Sequence, residues 1–309
     1  MSHWIAARER VTSLLKELAN AACVARGDEP RSCGMRPSGL DGVGIVSAFE
    51  SLPRSPTVYE PSIVILAQGQ KRGYLGDQVY TYDADNYLVL SVPLPFECET
   101  FASPAEPLLG ISLHVDPATL GELLLEMDDT PPAGETAHGI YANPMTDELS
   151  DALVRLLECL RSPTDRRVLG RSIVREMTYR VLCGEQSGGA LRALASRHSH
   201  LGQISKVLRR IHAEYSDNLD VETLAREAGM SHSTFHHHFR AVTSSSPLQY
   251  LKSIRLHKAR LLMVQEGLNA SVAARHVGYE SASQFSREFK RFFGDSPAVD
   301  TAKLRAARS

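Results

Sequence analysis

Hydrophobic positions in the first half of the chain follow strand patterns, and those in the second half recur at helical spacing. Between residues 44 and 115, short runs rich in β-branched and aromatic residues are separated by Gly, Pro and Asp, which predicts strands. The clearest strands are 62–68, 78–83, 86–92, 96–102 and 108–115. We expect these strands to form a small barrel or sandwich.

A glycine-rich segment, QGQKRGYLGDQ, joins the first two of these strands. Gly69, Gly73 and Gly76 are available for tight turns, so the segment predicts a hairpin connection. Three amphipathic helices are predicted after the strands, at 117–127, 146–161 and 166–183. The first half of the chain is therefore predicted to combine a β-structure with flanking helices.

The last hundred residues contain the same pattern twice, at about 220–242 and 270–293. In each copy a short helix runs into a glycine, Gly229 or Gly278, where the left-handed backbone of a helix stop favours glycine. Ser231 and Ser281 follow as predicted N-caps of a second, longer helix. Each copy thus has the form of a helix-turn-helix unit.

The longer helix of each copy has an apolar stripe and a polar face. Phe235 and Phe239 lie four residues apart in the first copy, as do Phe285 and Phe289 in the second. The opposite faces are polar: Ser233, His236, His237 and Arg240 in the first copy, and Ser283, Ser286, Arg287 and Lys290 in the second. These faces are free to enter a groove of DNA.

A third helix is predicted between the two units, over 247–266. Pro247 suits its first turn and Gly267 its end. Twenty residues at ~1.5 Å each give a rod of roughly 30 Å. That length is close to the ~34 Å between successive major-groove faces of B-DNA.

Residues 203–304 resemble the DNA-binding domain of the AraC/XylS-type bacterial transcription regulators. The resemblance rests on LAREAGMSHSTFHHHFRAVT, SPLQYLKSIRLHKARLLM and VGYESASQFSREFKRFFGDSP. Ser244 departs from the family pattern, because members usually carry glycine after the first recognition helix. The departure affects only the C-cap expected there.

The resemblance implies a role for individual residues. Base reading would fall to Ser233, His236 and His237 in the first unit, and to Ala282, Ser283, Ser286 and Arg287 in the second. Phosphate contacts would come from Arg240, Lys290, Arg291 and the helix N-termini at Ser231 and Ser281. A guanidinium can pair with guanine in two parallel hydrogen bonds, which makes Arg287 the strongest candidate. The alternative is that these residues form only a solvated helix face.

Charge is unevenly distributed along the chain. From His200 onward there are 16 basic and 10 acidic residues, a net +6 before histidine, whereas the remainder has 18 and 26, a net −8. A basic part joined to an acidic part fits a DNA-binding unit on a regulatory body.

The first half resembles a known domain as well. Residues 59–95 and 175–195 are similar to the cupin-like N-terminal domain and connecting segment of one AraC-type subgroup. The implied fold is α+β: a regulatory domain over 1–189, with a barrel at about 44–115 and helices at about 117–184, then a DNA-binding domain over 190–309. We place the link near Gly184–Gly189, followed by a helix from about Leu191 to Tyr215.

The N-terminal domains of this family bind a small effector, mediate dimerisation or do both. By analogy the helices over about 146–184 carry the dimer contact; the alternative is that their apolar stripe packs on their own barrel. Aromatic and polar residues are candidates for the wall of an effector pocket: Tyr59, Gln68, Tyr74, Tyr82 and Tyr87.

Signatures of other functions are missing from the sequence. There is no nucleophile elbow, Walker loop or dinucleotide fingerprint, so we expect no enzyme and no cofactor. His114 and His138 do not form the closely spaced pair of a metal-binding cupin, even with Glu97 or Glu99 as a carboxylate ligand, and His232 with His236 lack further ligands on their helix. We therefore expect no metal.

Cellular location follows from cysteine usage and hydropathy. The five cysteines are odd in number and lack close pairing, which favours reduced thiols in the cytoplasm: Cys23, Cys33, Cys98, Cys159 and Cys183. No run of eighteen apolar residues predicts a membrane span, and the N-terminal segment is too acidic and interrupted for a signal peptide.

Together these patterns predict a transcription regulator that binds double-stranded promoter DNA through both units. We expect a homodimer with an N-terminal domain that senses a small-molecule effector, pairs protomers or does both, with RNA polymerase as a further candidate partner. The alternative is a ligand-independent regulator whose N-terminal domain only docks protein partners. An enclosed pocket with converging polar groups would favour the first version, and a filled apolar interior the second.

Overall fold

The computed structural model describes residues 3–26, 33–127, 138–196 and 199–306. A strand-rich N-terminal part precedes an all-helical C-terminal part, which confirms the α+β class. Among the described helices, none has both the length and the apolar character that a bilayer span requires.

Ten strands form two antiparallel sheets in the described part of the chain. The strands are β1 (Gly34–Pro37), β2 (Val43–Ala48), β3 (Leu52–Tyr59), β4 (Ser62–Gln68), β5 (Gln70–Leu75), β6 (Gln78–Tyr82), β7 (Asn86–Leu90), β8 (Leu94–Phe101), β9 (Leu108–His114) and β10 (Ile140–Pro144). The large sheet has the order β1-β2-β9-β4-β7-β10, and the small sheet has the order β3-β8-β5-β6.

The burial of individual strands shows how the two sheets are arranged. In β4 every residue from Ser62 to Ala67 is buried, because the central strand of the large sheet is covered on both faces. In β8 buried and half-buried residues alternate, so one face of the small sheet points inward and the other outward.

Helices cover the outer face of the large sheet. They are α1 (His3–Arg26), α2 (Pro117–Glu126), α3 (Asp147–Arg161), α4 (Pro163–Val168), α5 (Gly170–Leu182) and α6 (Glu185–Ala195). α1 contacts β2, β4 and β9, and the Trp4 indole Nε1 donates a hydrogen bond to the Ala84 carbonyl over 2.6 Å. α3 packs in turn on α1.

Over residues 199–306 the structure has seven further helices. They are α7 (His200–Ala213), α8 (Val221–Glu227), α9 (His232–Thr243), α10 (Pro247–Gln265), α11 (Ala270–His276), α12 (Ala282–Phe293) and α13 (Pro297–Ala306). α8 with α9, and α11 with α12, lie where the sequence predicts the first and second helix-turn-helix units, and α10 lies where it predicts the helix between them.

Two helices predicted as continuous are broken. The segment 166–183 divides at Leu169 into α4 and α5, and Gly170 lies against Leu40, where a side chain would collide with it. The segment from Leu191 to Tyr215 divides between α6 and α7, because the Ser199 side chain accepts a hydrogen bond from the Gly202 amide and caps α7. The predicted link at Gly184–Gly189 lies mostly inside α6.

The glycine-rich hairpin segment was only partly predicted. Gly69 and Gly76 have positive φ, at 79° and 59°, as tight turns require. Gly73, however, lies within β5, opposite Cys98 and against the Phe96 ring. The segment therefore contributes a strand of the small sheet as well as turns.

Buried apolar residues form two cores in the described part of the molecule. The larger core is continuous from α1 and both sheets through α7 to the first helix-turn-helix unit, and includes Phe235, Phe239 and Tyr250. The smaller core belongs to the second unit and includes Phe285, Phe289 and Tyr279. α10 contributes its N-terminal half to the larger core and its C-terminal half to the smaller one.

Candidate nucleic-acid interface

The longer helices of the two units expose their residues in the same order. Over the ten positions 231–240 and 281–290, each residue of the first segment has the same degree of burial as its equivalent in the second. The fifth and ninth positions, Phe235 with Phe239 and Phe285 with Phe289, are buried. The two helices thus present equivalent faces outward.

The predicted DNA-contacting residues lie on these faces. Most are exposed: Ser233, His237, Arg240, Ala282, Ser283, Arg287, Lys290 and Arg291. His236 and Ser286 are half-buried, and the Ser286 hydroxyl donates back to the Ala282 carbonyl of its own helix over 2.9 Å. Ser286 therefore presents its hydroxyl less freely than Ser283.

The turns have the predicted geometry. Gly229 and Gly278 have φ of 66° and 83°, in the region that favours glycine. Ser231 accepts a hydrogen bond from the Thr234 amide over 3.3 Å, and Ser281 accepts one from the Gln284 amide over 3.2 Å. Both caps satisfy amides at the helix N-terminus, where DNA phosphates are commonly bound.

The exposed cations of these helices are free of carboxylates. Within the described residues, Arg240, Arg287, Lys290 and Arg291 form no ion pair. Cations that hold the scaffold do: Arg260 of α10 donates two hydrogen bonds to Asp300 of α13, over 2.6 and 2.7 Å. The exposed cations are therefore available to an external anion such as phosphate.

A carboxylate network fixes α12 from its inner side. Glu288 accepts hydrogen bonds from Lys252 over 2.9 Å, from Tyr279 over 2.8 Å and from Gln284 over 3.1 Å. Burial alone would raise the pKa of Glu288, but these hydrogen bonds outweigh it and lower the pKa. The carboxylate stays ionised and joins α12 to α10.

Arg255 of α10 holds the turn of the second unit. Its guanidinium donates to three backbone carbonyls: to Tyr215 over 2.7 Å, to Asp217 over 2.8 Å and to Gly278 over 3.1 Å. The segment after α7 and the turn between α11 and α12 are thereby tied to one side chain.

The histidines of α9 have separate environments. His238 occupies the position equivalent to Glu288 and stacks on His200, with 3.7 Å between ring centroids. Burial lowers the pKa of His238, and the neighbouring His200 and His237 lower it further. The rings of His232 and His236 lie 4.5 Å apart near the exposed face.

Two helices that pack on α9, α7 and α10, are joined to the N-terminal part at a buried contact. The Tyr250 hydroxyl of α10 donates to the Pro93 carbonyl over 2.7 Å and lies 2.8 Å from Nε2 of His212 in α7. Because the hydroxyl proton is used on Pro93, Nε2 of His212 is the donor to the Tyr250 oxygen. Burial lowers the pKa of His212 to about 4, and Lys258 contributes, so this histidine is neutral at pH 7.

The end of α9 also lies against the N-terminal part. The Gly139 amide donates to the Val242 carbonyl over 3.3 Å, and Nδ1 of His138 lies 3.2 Å from the Ala241 carbonyl. We call the contacts at Tyr250, His212, Val242 and Ala241 the seam. It involves the first unit, whose exposed face remains uncovered.

Sequence patterns missed several of these residues. Arg255, Glu288 and Tyr250 fix the positions of the helices. Their hydrogen-bond partners other than Gln284 lie between 9 and 157 residues away along the chain, so no local pattern identifies those partners. The spacing of Gln284 and Glu288, four apart on one helix, was the one local signal of the carboxylate network.

Family models cover both parts of the chain. Residues 39–189 match the AraC-type transcriptional regulator N-terminus, and residues 224–301 match a helix-turn-helix domain. The chain belongs to the AraC/XylS-type transcription regulators. It is a DNA-binding regulator with an N-terminal domain of the AraC subgroup predicted from the sequence.

Individual relatives agree with this assignment. The virulence regulon transcriptional activator VirF of Yersinia enterocolitica is 26% identical over 246 residues, covering 77% of this chain and 88% of VirF. The HTH-type transcriptional regulator AlkR of Acinetobacter baylyi is 39% identical over 95 residues, 31% of each chain. The match thus spans about a third of the length of AlkR.

A solved structure shares the fold. Unsaturated fatty acid bound ToxT from Vibrio cholerae superposes with a TM-score of 0.50 at 14% identity, over 83% of this chain and 94% of ToxT. At this identity the likeness concerns the fold alone.

Proposed function

We propose that this regulator binds promoter DNA by placing α9 and α12 in successive major grooves. The observation that carries the proposal is the repeated exposed face, with four cations that form no ion pair among the described residues. α10 has 19 residues, a rod of about 28 Å, which suits the ~34 Å repeat of B-DNA.

The two faces divide into specifying and positioning contacts. We assign base reading to Ser233, His236 and His237 of α9, and to Ala282, Ser283, Ser286 and Arg287 of α12. We assign phosphate contacts to Arg240, Lys290, Arg291 and the capped N-termini of both helices. Phosphate contacts fix the register of a protein on DNA, and base-edge contacts supply its sequence preference.

The N-terminal part, over residues 1–189, serves in this proposal as the effector and dimerisation domain. A cavity of about 910 Å³, lined by residues of both sheets, supports effector binding over a purely docking role. Tyr59 of the predicted wall residues lines it, whereas Tyr74 points outward and its hydroxyl donates to Glu99. The structure of ToxT with a fatty acid is a precedent for a small-molecule ligand on this fold.

Exposed apolar residues support pairing of protomers through the helices of the N-terminal part. Val168 and Leu169, at the junction of α4 and α5, are exposed, as is Leu125 of α2. Side chains of this kind commonly form protein interfaces. In a dimer, two DNA-binding parts would meet paired half-sites, and effector binding would change which half-sites are occupied together.

A genome-wide footprint combined with sizing of the purified protein tests the proposal. Discrete promoter peaks with paired half-sites and a dimeric mass are expected. A single half-site with a monomeric mass would remove the dimer from the proposal. Diffuse binding that remains diffuse with candidate effectors present would contradict sequence-specific recognition.

A further inference from the structure

One charged side chain lies on the inner face of the small sheet. In β5, Lys71 pairs with Thr100 of β8 and with Tyr82 of β6, both of which are buried. Directly opposed residues of neighbouring strands point to the same face. Lys71 therefore points to the space between the sheets.

The neighbouring charges of this sheet point the other way. Arg72 follows Lys71 and is exposed, and the Arg54 guanidinium Nε donates to Glu97 on the outer face over 2.6 Å. Strand alternation thus separates Lys71 from every ion pair of its own sheet. Lys71 is half-buried, and a lysine withdrawn from solvent is unusual unless it is paired.

The space that Lys71 faces is the 910 Å³ cavity between the sheets. Its lining is mostly apolar and comes from both sheets; on the large sheet it includes Val46, Ala48, Val64 and Leu108. The volume lies within the range of pockets that bind small organic molecules.

Within the described residues, Lys71 has a hydrogen-bond partner but no carboxylate partner. Its ammonium donates to the Tyr59 hydroxyl over 2.8 Å. Burial disfavours its charge, but Tyr59 and Cys98 offset this and keep the pKa of Lys71 above its ordinary value. The two carboxylates of the cavity wall belong to Asp41 and Glu60 at the rim, whose side chains are 98% and 61% exposed.

The buried Arg36 of β1 does not face this cavity. It lies opposite Ile45 and its Nη1 donates to the Ser47 hydroxyl over 3.0 Å, so its side chain is on the other face of the large sheet from Val46. Among the described residues that line the cavity, Lys71 is therefore the cation whose side chain faces it, and the carboxylates lie at the rim. A buried charge is stabilised when an opposite charge pairs with it.

We propose that this cavity binds an organic anion with an apolar body, whose charged group pairs with the Lys71 ammonium. The body lies along Val46, Val64 and Leu108. Such a ligand supplies the missing counter-charge and removes its own apolar surface from water. The assignment rests on the effector role proposed above and names the class of effector.

The site lies next to the seam. Tyr59 ends β3, and the following residue, Glu60, places Oε1 3.9 Å from Nδ1 of His212. Tyr59 also pairs with Leu94, which follows the Pro93 that accepts the Tyr250 hydrogen bond. A ligand that engages Lys71 and Tyr59 therefore acts one residue away from the contacts that hold the first helix-turn-helix unit.

Calorimetric titration of the full chain tests the site with matched probes. Octanoate and 2-naphthoate supply an anion with an aliphatic or an aromatic body, 1-octanol supplies the body alone and acetate the charge alone. We expect at least one of the two larger anions to bind more tightly than 1-octanol and acetate. Lys71→Met should weaken that binding about tenfold or more, because a charge-assisted hydrogen bond is lost.

Arg72→Met is the matched control, since it removes the adjacent, outward-pointing cation and should leave binding unchanged. Lys71→Arg should retain the preference for the anion. Equal affinity for octanoate and 1-octanol, absence of binding by both larger anions, or equal losses in Lys71→Met and Arg72→Met would each overturn the assignment. The comparison of octanoate with 1-octanol needs no variant, so it holds even if Lys71→Met does not fold.

Operator binding by the same samples separates this proposal from the broader one. Wild-type protein that binds its operator but neither larger anion overturns the ligand assignment and leaves DNA recognition intact. Wild-type protein that binds the anion through Lys71 but binds no operator DNA supports the ligand site and contradicts the DNA-binding proposal.

Discussion

The equivalent exposed positions of the two helices carry different side chains, His237 in α9 and Arg287 in α12. A guanidinium offers two parallel donors to the edge of a guanine, whereas an imidazole offers a single hydrogen bond at a time. At the next exposed position both helices carry a cation, Arg240 or Lys290. The units thus differ at a proposed base-reading position and both carry a cation at a proposed phosphate contact.

Arg287→Ala and Lys290→Ala should have separate effects. The first should lose discrimination at one or two base pairs, by roughly 1–3 kcal/mol for a bidentate contact. The second should weaken binding to all sequences and flatten its salt dependence. Competition binding with substituted operators over a salt series measures both. If the two variants behave in the same way, the division into specifying and positioning contacts is wrong.

Ser244 occupies a backbone conformation that favours glycine. It ends α9 with φ of 54°, and its equivalent at the end of α12, Gly294, has φ of 87°. Ser244→Gly should raise the free energy of unfolding by roughly 1 kcal/mol, since a side chain is disfavoured there. Gly294→Ala should lower it by a similar amount. Chemical denaturation measures both changes, and shifts of the same sign would contradict the explanation.

At the scale of elements, α10 determines how the two units are placed. It gives Tyr250 to the larger core and Met263 to the smaller one, while Arg255 between them binds three carbonyls around the second unit. Its N-terminus carries a capping box, in which Ser246 and Gln249 satisfy each other's backbone amides. The two ends and the middle of α10 are therefore all held in place by packing or hydrogen bonds.

Arg255→Ala should loosen the second unit more than the first. Three carbonyls, those of Tyr215 and Gly278 part-buried and that of Asp217 exposed, would lose a charged donor, at a cost of roughly 2 kcal/mol. Footprinting should show weaker protection at the half-site of α12 and unchanged protection at that of α9. Ser253→Ala on the same helix is the control, because its hydroxyl only donates to the Gln249 carbonyl of its own helix. Equal losses at both half-sites would argue against a local role.

The helix-turn-helix units could be predicted because their signals are local. A glycine stop, a serine cap and two phenylalanines four apart all lie within some twenty residues of chain. The strands of the small sheet gave weaker signals: β3 contains two prolines and is largely exposed, and β5 contains Gly73. The break at Leu169 was missed because the apolar stripe continues across it.

The inward orientation of Lys71 could not be predicted for a different reason. A shift of one residue in strand register reverses which side chains point inward. Two adjacent cations, Lys71 and Arg72, occupy this part of the strand, and nothing in the local sequence indicates which of them faces the interior. Only the pairing of Lys71 with Thr100 and Tyr82 decides it. Arg255 was missed because its partners are remote along the chain.

On the scale of the whole molecule, the larger core joins the first unit to the N-terminal part. Tyr250, which is fully buried, lies at this junction with His212. The histidine is neutral because burial lowers its pKa, so protonation works against the folded state. The seam is therefore sensitive to acid.

Acidification should destabilise the molecule through His212. Its pKa is about 4 when folded and 6.5 when unfolded, so the unfolded state binds more protons between these values. The contribution of His212 to the free energy of unfolding is fully present above pH 6.5. It is lost progressively as the pH falls towards 4, a loss of up to about 3 kcal/mol. His212→Gln, which keeps a donor for Tyr250, should flatten the pH dependence of unfolding in that window. An unchanged slope would contradict the assignment.

The division into two cores has a consequence for how such regulators diversify. The second unit has its own core and meets the rest mainly through α10, so it can be exchanged between relatives as a cassette. The first unit shares its core with the N-terminal part, and its inner residues must change together with that part. Chimaeras cut within α10 should therefore acquire a new half-site preference more readily than chimaeras cut before α8, and new operators should arise first at the half-site of α12.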